Sequence, residues 1–220
     1  MTDPPKSQPP LALPKAILFD MDGTLTAPML DFPKIKAEMG IGNRPILEAL
    51  EEMNGEQRAA AETILIRHEE DAADQATLNP GCHELLDWLA VRNIRRAVIT
   101  RNSLSSIRTI LTRHRLKMDL TISRSDAPFK PNPRPLHLAC AKLTVSEADA
   151  WMVGDGSHDI EAGVAAGVKT VWLSHGNPRP FKAEPWRAVR DLLELQELLA
   201  AVEEASRHDA NNRHPIPKPV

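Results

Sequence analysis

The chain has 220 residues, of which 42% are hydrophobic, and a formal net charge of −3. This length can bury a sizeable core, so one main domain with a modest insertion is expected, and the acidic balance argues against partners such as nucleic acid or anionic membrane. Two cysteines are too few for a disulfide framework, which favours a reducing cytoplasm. No stretch approaches the roughly 20 apolar residues of a transmembrane helix.

The two ends of the chain differ in composition from the part between them. Residues 1–13 are rich in proline and predict a disordered lead, and the polar residues 207–220 predict a disordered tail. Between these ends, short apolar runs predict strands at 15–20, 95–100, 118–122, 149–153 and 169–173. Amphipathic segments predict helices at 82–92, 103–115, 135–143, 158–166 and 187–204.

The alternation of strands and helices predicts the fold class. It indicates an α/β fold, a Rossmann-like parallel sheet sandwiched by helices. In such a fold, ligands bind outside the carboxyl ends of the strands. Polar side chains that follow different strands are therefore expected to meet at one edge of the sheet.

The end of the first predicted strand carries the strongest functional signal. The apolar run Ala16–Phe19 leads directly into Asp20 and Asp22, which Gly23 and Thr24 follow. Two carboxylates this close repel each other, and one resists ionising unless a cation lies between them. Oxygen-rich acidic clusters suit a hard cation such as Mg²⁺.

Further polar residues follow later strands or lie in a loop between them. A hydroxyl and two polar residues end the second predicted strand, a lysine lies in a proline-rich loop, and two acids follow the strand at 149–153. These residues are Thr100, Arg101, Asn102, Lys130, Asp155 and Asp159. The sheet topology alone predicts that Thr100 and Asp155 lie near Asp20.

A helical insertion interrupts the alternation at residues 27–78. Its apolar stripes predict helices at about 32–39, 45–53 and 56–76. We therefore expect a small all-helical cap inserted after the first strand. The catalytic core would then comprise residues 14–26 and 79–206.

The four polar segments, in this order, resemble the motifs of the haloacid dehalogenase-like hydrolase superfamily over roughly residues 15–180. The sequence Asp20-Met21-Asp22-Gly23-Thr24 resembles the phosphatase branch that carries a helical cap after the first motif, such as the phosphoglycolate phosphatases. The resemblance implies that Asp20 is the nucleophile, which forms an aspartyl-phosphate. It also implies that Asp22 acts as general acid and then as general base.

The remaining residues have expected roles around phosphate and metal. Asp20, Asp155 and the backbone carbonyl of Asp22 are predicted to hold Mg²⁺. A second set is predicted to contact phosphate or substrate, with Arg101 and Asn102 as its less specific members: Gly23, Thr24, Thr100, Arg101, Asn102 and Lys130. Asp159 is expected to orient the metal site or Lys130. Three cap residues are candidates for contact with the leaving group: Asp31, Arg44 and His68.

The prediction is a cytoplasmic, Mg²⁺-dependent phosphatase, monomeric or homodimeric, that hydrolyses a small phosphorylated metabolite. A phosphomutase of the same fold uses the same residues, and a non-catalytic phosphate-binding module is a further alternative. A signalling receiver domain also phosphorylates an aspartate near Mg²⁺. That class lacks a long insertion after its first strand and keeps its acceptor aspartate much later, so it fits this sequence poorly.

Overall fold

The computed structural model describes residues 12–213 of the chain. Six parallel strands form one sheet in the order β3-β2-β1-β4-β5-β6. The strands are β1 (Ala16–Phe19), β2 (Arg95–Ile99), β3 (Leu120–Ile122), β4 (Ala150–Gly154), β5 (Lys169–Leu173) and β6 (Arg187–Val189). The chain extends the sheet in one direction from β1 and in the other from β4, so a crevice opens between the carboxyl ends of these two strands.

The predicted α/β fold is confirmed, and five of the six strands lie where the sequence predicts them. The prediction of a helix from residue 187 is wrong at its start, because Arg187–Val189 pairs with β5 as an edge strand. The helix begins only after Asp191, whose carboxylate accepts a hydrogen bond from the Glu194 amide at 2.8 Å. This last helix ends at Arg213, so the predicted tail overlaps it; residues 214–220 and nearly all of the predicted lead lie outside the described residues.

Helices cover both faces of the sheet. Helices α4 (Cys82–Val91), α5 (Leu104–Arg113) and α8 (Leu192–Arg213) share one buried cluster with Ile17 and Phe19 of β1. Helices α6 (Arg134–Leu143) and α7 (Ser157–Ala166) share the other with Ala16 and Leu18. Alternate residues of β1 thus face opposite layers, as the pleat of a strand requires. None of the helices within residues 12–213 is long and apolar enough to cross a membrane.

The insertion after β1 contains three helices with a small core of their own. They are α1 (Phe32–Glu38), α2 (Ile46–Glu51) and α3 (Gly55–Gln75), and their buried side chains include Ile35, Leu50 and Leu65. The two ends of the insertion meet, because the Ala27 amide donates to the Thr77 carbonyl at 2.9 Å. The whole insertion therefore leaves and re-enters the core at one place.

Two ion pairs join the insertion to the core. Glu69 of α3 is only 2% exposed, and its carboxylate pairs with Arg124 at 2.5 Å and accepts from the Ser103 amide at 3.1 Å. Glu48 of α2 accepts from Arg101 through both carboxylate oxygens, at 2.9 and 3.0 Å. The charged side chains of both pairs lie between the two parts of the molecule, above the edge of the sheet that carries the site.

Candidate active site

Three carboxylates meet at the switch point of the sheet. Asp20 follows β1, Asp155 follows β4, and Asp159 lies in the first turn of α7. One oxygen of each lies within 4.8 Å of the other two. The prediction that Asp20 and Asp155 share one edge therefore agrees with the geometry, and Asp159 joins them in the same cluster.

Two glycines make room for this cluster. Gly23 has a φ of +79°, and a Cβ atom there would lie 2.2 Å from Oδ2 of Asp155. At Gly154, a Cβ atom would lie 2.2 Å from Cγ of Asp159. Side chains at either position would displace a carboxylate, and Gly23 also adopts a backbone conformation that L-residues rarely tolerate.

Lys130 lies in the middle of the carboxylates. Its Nζ donates to Oδ1 of Asp20 at 2.8 Å and to Oδ1 of Asp159 at 2.6 Å. The side chain is 2% exposed. Burial works to lower the pKa of Lys130, but the charges of Asp159 and Asp20 outweigh it and raise the pKa above its usual value. The lysine is therefore a fixed positive charge between two of the three acids.

One ammonium does not neutralise three buried carboxylates. Burial raises the pKa of Asp20 to about 6, with the Lys130 charge opposing this rise and the Asp159 charge adding to it. Burial and the charges of Asp20 and Asp159 raise the pKa of Asp155 to about 7. A donor set of carboxylate oxygens with excess negative charge fits a hard divalent cation such as Mg²⁺.

Asp22 occupies a different environment from Asp20, although only one residue separates them. Its two carboxylate oxygens accept hydrogen bonds from the Thr26 hydroxyl, at 3.1 Å, and from the side-chain amide of Asn102. Burial and the nearby charge of Asp20 raise the pKa of Asp22. Its carboxylate lies outside the acidic cluster, so a metal contact through the Asp22 carbonyl stays a prediction.

The predicted phosphate-contact residues divide into two groups. Thr100 and Asn102 line the cavity described below, and the Thr100 hydroxyl accepts a hydrogen bond from the backbone amide of Asn102 at 3.2 Å. Gly23 and Thr24 do not line it, and the Thr24 hydroxyl is buried without a hydrogen-bond partner in the described part of the chain. The guanidinium of Arg101 lines the cavity but is held by Glu48 and by the backbone carbonyl of Lys130.

A cavity of about 540 Å³ lies between this edge of the sheet and the insertion. The carboxylates and Lys130 form its core side. On the opposite side lies what we call the apolar wall, formed by Met29, Leu30, Phe32, Ile46, Leu47 and Leu65. The shape and chemistry of this cavity suit a ligand with one highly charged end and one apolar end.

The three candidate leaving-group residues of the insertion do not line this cavity. Asp31 caps helix α1 by accepting from the Lys34 amide at 3.0 Å. Arg44 pairs with Glu52, and His68 contacts Glu38. In this structure, all three therefore have local structural partners.

Sequence reasoning missed two residues that fix the loop of the first motif. The Asn79 side-chain amide lies 2.8 to 3.3 Å from the carbonyls of Gly23, Thr24 and Thr26. Nε2 of His175 donates to the Gly23 carbonyl at 2.6 Å. The Asn-Pro-Gly sequence at 79–81 was a signal of a specific turn, whereas nothing local marks His175, which is 152 residues from its partner.

Known proteins resemble the chain in both sequence and structure. The family profile described as haloacid dehalogenase-like hydrolase matches residues 30–173. A haloacid dehalogenase-like hydrolase domain-containing protein of Arabidopsis thaliana is 30% identical, over 82% of this chain and 84% of its own length. A phosphoglycolate phosphatase of Rhodospirillum rubrum is also 30% identical, over 76% of this chain and 82% of its own length.

Among solved structures, a hydrolase from Pseudomonas syringae superposes with a TM-score of 0.72. It is 21% identical in sequence, and the alignment covers 84% of this chain and 98% of that one. This likeness concerns the fold alone. Together with the match over residues 30–173, which is well over half of the chain, these findings confirm the resemblance: the chain belongs to the haloacid dehalogenase-like hydrolase family.

Proposed function

We propose that the protein is a Mg²⁺-dependent phosphatase that hydrolyses a small phosphate monoester through an aspartyl-phosphate on Asp20. The observation that carries the proposal is the placing of Lys130 between Asp20 and Asp159, beside Asp155. A buried site with this charge pattern suits a dianionic phosphate with a metal ion. The phosphatase names of several relatives support the same reaction class.

Asp20 is suited to act as the nucleophile. Its carboxylate ends β1 at the switch point, and the hydrogen bond from Lys130 to Oδ1 fixes its orientation. In the first step, a carboxylate oxygen of Asp20 bonds to phosphorus while the bond from phosphorus to the ester oxygen breaks. Because its position is set before substrate arrives, little reorganisation is needed at the moment of reaction.

Asp22 is suited to move the proton. Its pKa is raised, which favours a protonated carboxyl that can give a proton to the departing alcohol. The resulting carboxylate then takes a proton from water, whose oxygen attacks phosphorus and breaks its bond to Asp20. Hydrogen bonds from Asn102 and Thr26 orient this side chain for both steps.

The metal site is proposed on the three clustered acids. Asp20, Asp155 and the backbone carbonyl of Asp22 would hold Mg²⁺, and Asp159, which lies in the same cluster, would orient the metal site or Lys130. The ion, when bound, offsets negative charge on the phosphate and on the acids. Lys130 contributes a second positive charge, and Thr100 offers a hydroxyl to a phosphate oxygen.

The helical insertion over residues 27–78 is proposed to act as a cap. It closes one side of the cavity, and an enclosed site limits the access of water to the reacting phosphate. The core would then comprise residues 14–26 and 79–206. The hydrogen bond from the Ala27 amide to the Thr77 carbonyl, where the chain leaves and re-enters the core, supports these boundaries.

The test is phosphate release from p-nitrophenyl phosphate by the purified chain. We expect turnover with Mg²⁺, none with excess chelator, and inhibition by Ca²⁺, which accepts more oxygen ligands and a looser geometry. Asp20→Asn should abolish release, whereas Asp149→Asn, which alters an exposed acid paired with Lys15, should not. Undiminished release in chelator, or in Asp20→Asn, would refute the mechanism.

The same assay separates the alternatives. A phosphomutase would accept the phosphoryl group from an activated donor and pass it to an alcohol of its substrate rather than to water. A non-catalytic module would bind inorganic phosphate without releasing it from an ester. Neither alternative has an observation in its favour that the phosphatase lacks.

A further inference from the structure

We infer that the leaving group of the substrate is amphipathic, with a hydrocarbon body against the apolar wall and a second anionic group that Lys36 binds. This inference rests on the proposed function, because it describes the other end of the same ester. Its hydrocarbon body distinguishes it from glycolate, the small hydroxy acid that the name phosphoglycolate phosphatase denotes for the relative.

The first observation is that the side of the cavity opposite the three carboxylates is mainly apolar. The insertion presents six large apolar side chains to the cavity, from Met29 through Leu65. Met29 is 42% exposed and Phe32 is 52% exposed, so apolar surface remains uncovered at the rim. A leaving group with many hydroxyls would lose hydrogen bonds to water there without replacement, which is costly.

The second observation comes from the charged side chains around the cavity. Lys130 is paired with two acids, Arg101 is paired with Glu48, and the insertion's acid, Glu69, is paired with Arg124. Each of these charges already has a partner of opposite sign within the protein.

Lys36 is the exception among the lysines and arginines that line the cavity. It lines the cavity from helix α1, and its ammonium has no carboxylate partner among the described side chains of residues 12–208. The ammonium donates a long hydrogen bond to the Asn43 carbonyl, at 3.4 Å. A cation beside an apolar surface, with its charge still unpaired, suits an anionic group carried on a hydrocarbon body.

The test measures binding rather than turnover, so its outcome does not depend on catalysis. Alkylphosphonates from methyl to hexyl, and the matched series with a terminal carboxylate, are titrated into the full chain with Mg²⁺ by calorimetry. We expect affinity to rise about fourfold for each methylene that is buried. At one chain length, the carboxylate should add a further gain of about fivefold.

Two pairs of variants assign these gains. Phe32→Ser should flatten the dependence on chain length, while Val164→Ser, at a similarly exposed apolar residue of α7, should leave it unchanged. Lys36→Met should remove the gain from the carboxylate. Lys34→Met, on the same helix but outside the cavity lining, should retain it.

Each result has a definite meaning. Equal affinity for methyl and hexyl phosphonate, or failure to bind any member of the series, overturns the inference. A carboxylate gain that survives in Lys36→Met overturns the role of that lysine. Release of phosphate from p-nitrophenyl phosphate on the same preparation decides the proposed function separately, because that ester reports the reaction whether or not chain length affects binding.

Discussion

The core and the helical insertion face the same cavity with opposite chemistry. On the core side, Asp20, Asp155 and Asp159 crowd around one lysine at the ends of parallel strands. On the other side, the insertion presents mainly apolar side chains. Two of its acids, Glu48 and Glu69, turn towards arginines of the core.

The difference indicates how the two parts divide the work. Crowded buried charges are unfavourable for folding, and proteins retain them mainly where function requires them. Under the proposed function, the core therefore carries the groups that react with the phosphate ester. Under our proposals, the insertion supplies an apolar surface and one unpaired lysine, Lys36, which would set the shape and polarity of the leaving group.

On the core side, the largest effect after the complete loss expected for Asp20→Asn is expected from Asp22→Asn. With an alkyl phosphate, whose alcohol needs a proton to leave, turnover should fall by about 10²–10⁴ because general acid–base catalysis is lost. With p-nitrophenyl phosphate, the first step should persist, because that leaving group needs no proton. Steady-state and single-turnover rates with both esters measure this; equal losses in the first step would contradict the role of Asp22.

Lys130→Met should lower kcat by about 10²–10³, as the loss of one preorganised donor does in other active sites that stabilise a charged transition state. It should also destabilise the metal-free protein, because Asp20 and Asp159 would face each other without the ammonium between them. Rates and thermal unfolding are compared with Lys142→Met, an exposed lysine of α6. Activity near that of the parent in a folded Lys130→Met protein would remove the lysine from the site.

How the insertion is joined to the core is tested by Arg124→Met. This change leaves the carboxylate of Glu69 buried without its partner, and we expect a loss of about 3–5 kcal/mol in the free energy of unfolding. The control is Arg58→Met, which breaks the exposed Arg58–Glu62 pair on the same helix and should cost under about 0.5 kcal/mol. Similar losses in the two variants, measured by denaturant unfolding, would mean that the buried pair does not hold the insertion.

A smaller effect is expected in how the thermal stability of the metal-free protein, kept in chelator, depends on pH. The pKa values of Asp20 and Asp155 are raised in the fold to about 6 and about 7, so the folded state binds more protons than the unfolded state. Their contribution to stability is therefore complete below the ordinary pKa near 4 and is lost as pH rises through 6 and 7. Asp155→Asn should reduce this loss, as measured by Tm between pH 5 and pH 8; an unchanged slope would contradict the account.

The fold could be predicted from the sequence because the buried strands are continuous apolar runs between clear turn residues. The other five strands, β1 to β5, lie within about two residues of their predicted positions. The strand β6 was missed because two of the three residues of Arg187–Val189 are exposed, so the segment contains no apolar run. Its apolar residue reads equally well as the start of the helix that follows.

The site was predictable only in part, and for a physical reason. Residues at strand ends, such as Asp20, Thr100 and Asp155, are brought together by the topology that the sequence reveals. Contacts between distant loops leave no local pattern in the sequence. The sequence therefore predicts that Asn102 contacts phosphate, whereas in the structure its side chain donates a hydrogen bond to Asp22. The same holds for the His175 contact with the Gly23 carbonyl.

The central claim is that Asp20 and Asp22, one residue apart, have different roles because their surroundings differ. The most direct test is the intact mass of the protein after rapid quench with p-nitrophenyl phosphate and Mg²⁺, followed by mapping of the modified peptide. We predict that Asp22→Asn gains the mass of one phosphoryl group on Asp20, and that Asp20→Asn gains none. A phosphorylated Asp20→Asn protein, or a phosphoryl group mapped to Asp22, would contradict the account.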